Sequence, residues 1–97
     1  HVTIHYDPIV TSDPHVEELR GLLQRAAEGL HAHLSIHDVR IVVGKTHTNV
    51  VFDCVVPADC SLTHTEIRNK LTAAVQAVYP DHNCVIKMEN SYTGGQD

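Results

Sequence analysis

Tryptophan is absent from this chain, phenylalanine occurs once and tyrosine three times. So few rings provide no platform for stacking bases. With 7 basic against 12 acidic residues there is no positive footprint for a phosphate backbone either, and nucleic acid is excluded as a partner. No apolar run approaches the ~18 residues that mark a membrane span, and no signal peptide is visible. Cysteine is scarce and odd in number. Cys54, Cys60 and Cys84 contain no C-x-x-C pair, so they form neither a disulfide framework nor a zinc knuckle and read as reduced thiols in a cytosolic setting. There is no G-x-S-x-G elbow, no P-loop and no H-E-x-x-H. A chain this short also leaves little room for a deep substrate pocket of ~300 Å³ or more, and an enzyme is the least favoured reading.

What is present is one small globular domain. The 97 residues are 42% apolar with a formal net charge of −5, enough for a single core with little margin. Histidine is the unusual count, at nine, and four of these fall between residues 31 and 47. Imidazole is the commonest metal ligand and titrates near neutral pH, so the count points toward metal binding or pH sensing. The chain opens at His1 rather than Met, as a piece of a longer protein or a processed terminus would.

Periodicity divides the chain. HVTIHYD alternates Val2, Ile4 and Tyr6 against Thr3, His5 and Asp7, which predicts a lead-in strand or linker over 1–13, ended locally by Pro8. Asp13 then suits an N-cap with Pro14 at the first helical position, and Val16, Leu19, Leu23, Ala26, Ala27 and Leu30 recur at helical spacing over 14–31. IHDVRIVVG and NVVFDCVVP read as two strands joined by a turn at residues 44–47. Val39, Ile41 and Val43 share a face of the first; Val50, Phe52, Cys54 and Val56 share a face of the second. Thr63 and Glu66 make a capping box. A second helix follows, with Ile67, Leu71, Ala74, Val75 and Val78 inward, and Tyr79-Pro80 ends it. Cys84, Ile86 and Met88 mark a last strand, and residues 91–97 form a flexible tail. The order β-α-β-β-α-β predicts an α+β, ferredoxin-like two-layer sandwich of the metallochaperone type, with both helices on one face of a small antiparallel sheet.

Candidate sites follow from pairing across the hairpin. If Val43 faces Thr48, positions summing to 91 lie opposite. His37 then meets Cys54, and Asp38 meets Asp53 with Arg40 on the same face. A His–Cys pair can hold zinc or activate a thiolate; the alternative is a half-buried His beside a core Cys. Asp38 and Asp53 can bind a cation through oxygen, or be neutralised by Arg40. His47 lies accessible in the turn. His5 and Asp7 share a face of the first strand and could join His47 or Asp53. His31 and His33 flank a helix end, where the dipole favours a cation. Cys60 and His64 straddle the capping box rather than share a helix face.

His37-Asp38-Val39-Arg40, Gly44, the strand Val50 to Val56, Ser61-Leu62, Tyr79-Pro80-Asp81 and Val85-Ile86 together resemble the cytoplasmic C-terminal domain of cation diffusion facilitator transporters. The resemblance covers residues 15–90, and DPIVTSDP and THTNVVFD resemble a bacterial branch of that family. It implies a cytoplasmic regulatory and dimerisation domain at the cell membrane. The parent chain would carry a transmembrane domain that exports zinc or a similar divalent cation, while this domain forms a homodimer and senses metal. His37 matches the family's histidine. Asp53 and Glu66 fall where histidine ligands sit, and Met88 and Asn90 fall where some members place His and Asp. The metal candidates are therefore His37 and Asp53, then His47, Glu66, His5 and Asp7, for a weakly bound Zn²⁺ or another divalent cation. On the 91 register His37 and Asp53 lie on opposite faces, so a shared ion needs a twisted edge or a ligand from the partner copy. The alternative is a stand-alone ferredoxin-like metal-binding module.

Overall fold

A computed structural model describes residues 9–10 and 13–90. The elements run β1 (Ile9–Val10), α1 (Pro14–Leu30), β2 (Ser35–Val43), β3 (Thr48–Val56), α2 (His64–Val78) and β4 (His82–Asn90). Both helices start where local chemistry places them. The Asp13 side chain accepts the Val16 N–H with Pro14 opening α1. Thr63 and Glu66 form the reciprocal capping box of α2, each side chain accepting the other's backbone N–H. Neither helix could persist alone at these lengths, so their apolar stripes must pack. Val16, Leu19, Leu23 and Ala27 of α1 and Ile67, Leu71 and Val75 of α2 are wholly buried. Val78, expected to face inward, is 52% exposed, because the helix ends there and the Tyr79 N–H already caps Val75.

The sheet order is β1-β2-β3-β4. β3 is the hub. Its alternate residues Val50, Phe52, Cys54 and Val56 face the helices and are buried, together with Ile36, Val39 and Ile41 of β2. Two helices on one face of this sheet, in the order β-α-β-β-α-β, make an α+β sandwich of the ferredoxin-like class. Two details differ from the sequence expectation. The sheet is mixed, because α2 returns the chain across it and β4 pairs directly with β3 in parallel, from Thr48 opposite His82 to Val56 opposite Asn90. The first described strand is Ile9–Val10, after Pro8 rather than before it, and it lies against Ile41–Val42 at the β2 edge. The alternation at Val2–Tyr6 and the tail 91–97 lie outside the described residues.

Pairing of β2 with β3 follows the 91 register from Val43↔Thr48 to Arg40↔Val51, then breaks. Beyond the break His37 faces Asp53, Ile36 faces Cys54 and Ser35 faces Val55. Asp38 and Val39 together span the place of one partner residue, which is a β-bulge. Asp38 sits at φ 58, the left-handed region that Asp tolerates better than most residues. The extra residue keeps both Ile36 and Val39 on the core side. The Arg40 guanidinium donates to the Asp38 carbonyl at 2.6 Å, holding the kinked segment.

The bulge gives a stability test. We expect Asp38→Gly to be neutral or slightly stabilising. Asp38→Val should cost about 1–2 kcal/mol, because a branched side chain at positive φ is strained. Urea unfolding of the two variants measures the difference, and equal midpoints would show that the left-handed turn carries no strain.

Candidate functional site

The bulge decides what the outer face of the sheet can do. His37 and Asp53 are partners across β2 and β3, and Lys87 of β4 is the next partner of Asp53. Side chains directly opposite have Cβ atoms about 5 Å apart, close enough for one ion. The two leading metal candidates thus share a face, where the uniform 91 register had separated them. In this conformation the His37 Nε2 is hydrogen-bonded to Ser35 Oγ at 3.1 Å. Arg40 spends its bond on a backbone carbonyl, and among the described residues no ion pair joins it to Asp38 or Asp53. An open cleft of about 500 Å³ adjoins Asp53, lined by Arg20, Asp38, Val39, Arg40, Asp53 and Lys87 and not by His37. That is more room than the chain length implied. Its walls mix three cations with two carboxylates and carry no nucleophile.

The His37–Cys54 pair does not form. Cys54 faces the core opposite Ile36, wholly buried, and burial pushes its thiol up to about 11, with nearby Cys60 adding to the effect. Such a thiol is neither a ready metal ligand nor a nucleophile. The remaining candidates scatter. Glu66 is spent on the capping box at the start of α2. His47 sits in the turn with its ring bonded to Thr46 at 2.8 Å, roughly 20 Å of strand from Asp53. Met88 packs against the core, and Asn90 bonds His64 at 3.1 Å. His5 and Asp7 lie outside the described residues. Among the described residues no group of three or more His, Cys, Asp or Glu is arranged to hold a metal ion.

A second polar group lies where α1 and β4 begin. Neither of its histidines stood out in the sequence. His82 is buried at 6% exposure, and its Nε2 lies 2.8 Å from the Nε2 of His15. Its Nδ1 is bonded to Asp81 at 2.9 Å. His15 Nδ1 lies 3.5 Å from Glu18, whose same oxygen accepts the Tyr79 hydroxyl at 2.9 Å. Tyr79 stacks on His82 with ring centres 4.9 Å apart and meets His15 edge-on at 4.8 Å. The hydrogen bond from His82 holds the Asp81 carboxyl below the usual carboxylate range; Glu18 pushes the Tyr79 phenol up. The two histidines are 67 positions apart, so no spacing rule joins them. The readable signal was Asp81-His82, a carboxylate beside an imidazole at a strand entrance.

No protein-family model matches the sequence, and no curated protein matches it. Solved structures do match in fold. The zinc form of CzrB, a protein assigned as a zinc transporter, superposes with a TM-score of 0.67 at 23% identity, covering 90% of this chain and 97% of that one. A second CzrB structure gives 0.67 at 24% identity, with 82% and 98% covered.

The buried thiol yields a chemical test. Near pH 8, a thiol of pKa about 11 is only about one-thousandth thiolate. Iodoacetamide is expected to alkylate half-exposed Cys60 in the native protein and Cys54 only after unfolding. Peptide mass mapping reads this, and native labelling of Cys54 at the Cys60 rate would contradict the packing.

Proposed function

We propose that this chain is the regulatory and dimerisation domain of a divalent-cation efflux transporter of the cation diffusion facilitator type. In this reading a transmembrane domain of the same parent chain holds it at the cytoplasmic face of the cell membrane. The observation that carries the reading is the fold likeness to CzrB, spanning 97% of that chain. The His37–Arg40 strand start and the pairing of His37 with Asp53 add to it. The described residues would not conduct the cation, since none of their helices is long and apolar enough to cross a membrane. The domain instead pairs two copies and makes that pairing respond to metal.

Pairing across the uncovered face of the sheet would remove part-exposed Val51 and Val55 and the 51%-exposed Val85 from water. A two-fold axis is the usual symmetry for such a contact. Each copy carries a formal −5, so two copies repel until cations intervene. His37 and Asp53 offer one imidazole and one carboxylate, a set that suits zinc or another borderline divalent ion. Water or the partner copy completes the coordination. One imidazole and one carboxylate leave the ion short of protein ligands, so the single copy binds weakly and the dimer binds better. Metal then favours the dimer by mass action.

Sedimentation equilibrium is expected to show a dimer that dissociates at low micromolar concentration and tightens with zinc. A monomer at hundreds of micromolar, with and without zinc, would overturn dimerisation. In calorimetric titrations, His37→Ala and Asp53→Ala should each weaken zinc binding at this face about tenfold or more. If both bind as the parent does, metal sensing at the sheet is wrong. No turnover of esters, phosphates or peptides is expected, and metal-independent hydrolysis lost on Cys54→Ala would show otherwise.

A further inference from the structure

We propose that His15 and His82 form a separate site for a divalent transition cation, held between their two Nε2 atoms where α1 and β4 begin. The inference does not rest on the reading of the sheet face. It uses different residues, and His82 is five positions from Lys87 along β4, about 17 Å at strand rise.

The argument begins with what a carboxylate can do. An ionised carboxylate only accepts hydrogen bonds. The 2.9 Å contact of His82 Nδ1 with Asp81 therefore requires the proton on Nδ1, which leaves the His82 Nε2 with a lone pair. Glu18 stands 3.5 Å from His15 Nδ1, too far for a hydrogen bond, and its same oxygen accepts the Tyr79 hydroxyl, so His15 can carry its proton on Nε2. His15 Nε2–H then donates to the His82 Nε2 lone pair across 2.8 Å. Removing that one bridging proton turns both Nε2 atoms into acceptors, and a metal ion can then take its place between them.

The surroundings match a metal. Ligating histidines characteristically donate their other N–H to a carboxylate, which fixes the ring; His82 has such a partner in Asp81, and the Glu18 carboxylate stands 3.5 Å from His15 Nδ1. The charges of Asp81 and Glu18 together balance a divalent cation. Tyr79 packs against both rings and restricts their rotation. Tetrahedral zinc with bonds of about 2.0–2.1 Å places two nitrogens about 3.3 Å apart, so the rings must separate by about 0.5 Å and tilt until both Nε2 lone pairs converge on the ion. His82 is 8% exposed at its side chain and His15 31%, so solvent reaches the site from the His15 side and supplies the remaining ligands as water. On binding, two nitrogen–metal bonds form, the bridging N–H bond breaks, and its proton leaves to solvent. Imidazole ligation selects zinc, copper, nickel or cobalt over magnesium or calcium.

The test uses a His37→Ala/Asp53→Ala parent, so that the sheet face is silent. Zinc is titrated into this parent while the imidazole nitrogen resonances are followed by NMR, and the same titration is run on the parent carrying His15→Gln. The expected result is that zinc shifts the Nε2 signals of both His15 and His82, and that His15→Gln weakens binding at least about tenfold with unchanged circular dichroism. If either ring stays still, or if His15→Gln binds as its parent does, the proposal is overturned. Should His15→Gln unfold, the ring signals of the parent decide alone. Loss of zinc binding at the sheet with persistence here would separate the two sites.

Discussion

Burial of alternate residues along β3 constrains everything around it. Val50, Phe52, Cys54 and Val56 lie under two helices, and side chains on a strand alternate strictly, so Val51, Asp53 and Val55 have no choice but to face away. β2 must then present its own apolar residues to the same core. It has Ile36, Val39 and Ile41, whose spacing of three and then two does not fit a period of two. A uniform strand would put either Ile36 or Val39 in water. The bulge at Asp38–Val39 resolves the conflict by absorbing one residue, at the expense of a left-handed Asp38. The alignment of His37 with Asp53 is a by-product of packing Ile36, so the candidate metal face follows from the core.

The parallel pairing of β3 with β4 extends the same logic. Because the crossover through α2 returns the chain to its starting end, His82 at the head of β4 lies beside Thr48 at the head of β3. Asp81, just before it, accepts the Thr48 N–H through its carbonyl, which ties the β2–β3 turn to the α2–β4 turn. α1 begins at this same end of the sandwich, which is how His15 reaches His82. The polar cluster is therefore a consequence of strand direction, and an antiparallel β4 would have carried His82 to the opposite end.

Local features were legible in the sequence and long-range ones were not. The caps at Asp13 and Thr63, both helices and the three long strands followed from patterns within a few residues. The hairpin register was legible from Val43↔Thr48 to Arg40↔Val51, where turn geometry fixes it. It failed at Asp38 because a bulge carries no reliable local mark when its left-handed residue is not glycine. That one slip produced two wrong pairings, His37 with Cys54 and Asp38 with Asp53. It also misplaced the relation between His37 and Asp53. The three-two spacing of Ile36, Val39 and Ile41 was the available clue. The direction of β4 was hidden because element order does not say which strands become neighbours. His15 and His82 were passed over because their meeting depends on that direction.

The two histidine sites answer opposite physical demands. On the sheet, Asp53 is the strand partner of His37 and of Lys87, whose ammonium pairs with Glu89, on a face covered by neither helix. Its ligand set is short by design of the fold, and anything that completes it must arrive from outside. At the other end, the two imidazoles are closed upon each other, with Asp81 bonded to His82, Glu18 3.5 Å from His15 and Tyr79 against both rings. Ordering those side chains has already cost the fold its conformational entropy, so an incoming cation would meet rings that need little further restriction. Under the two proposals, the sheet face completed by a second copy would respond to assembly, whereas the His15–His82 pair would respond to the cation alone. A domain with a net charge of −5 would on those proposals respond differently to a cation at each place, and neither response would need a change in its core.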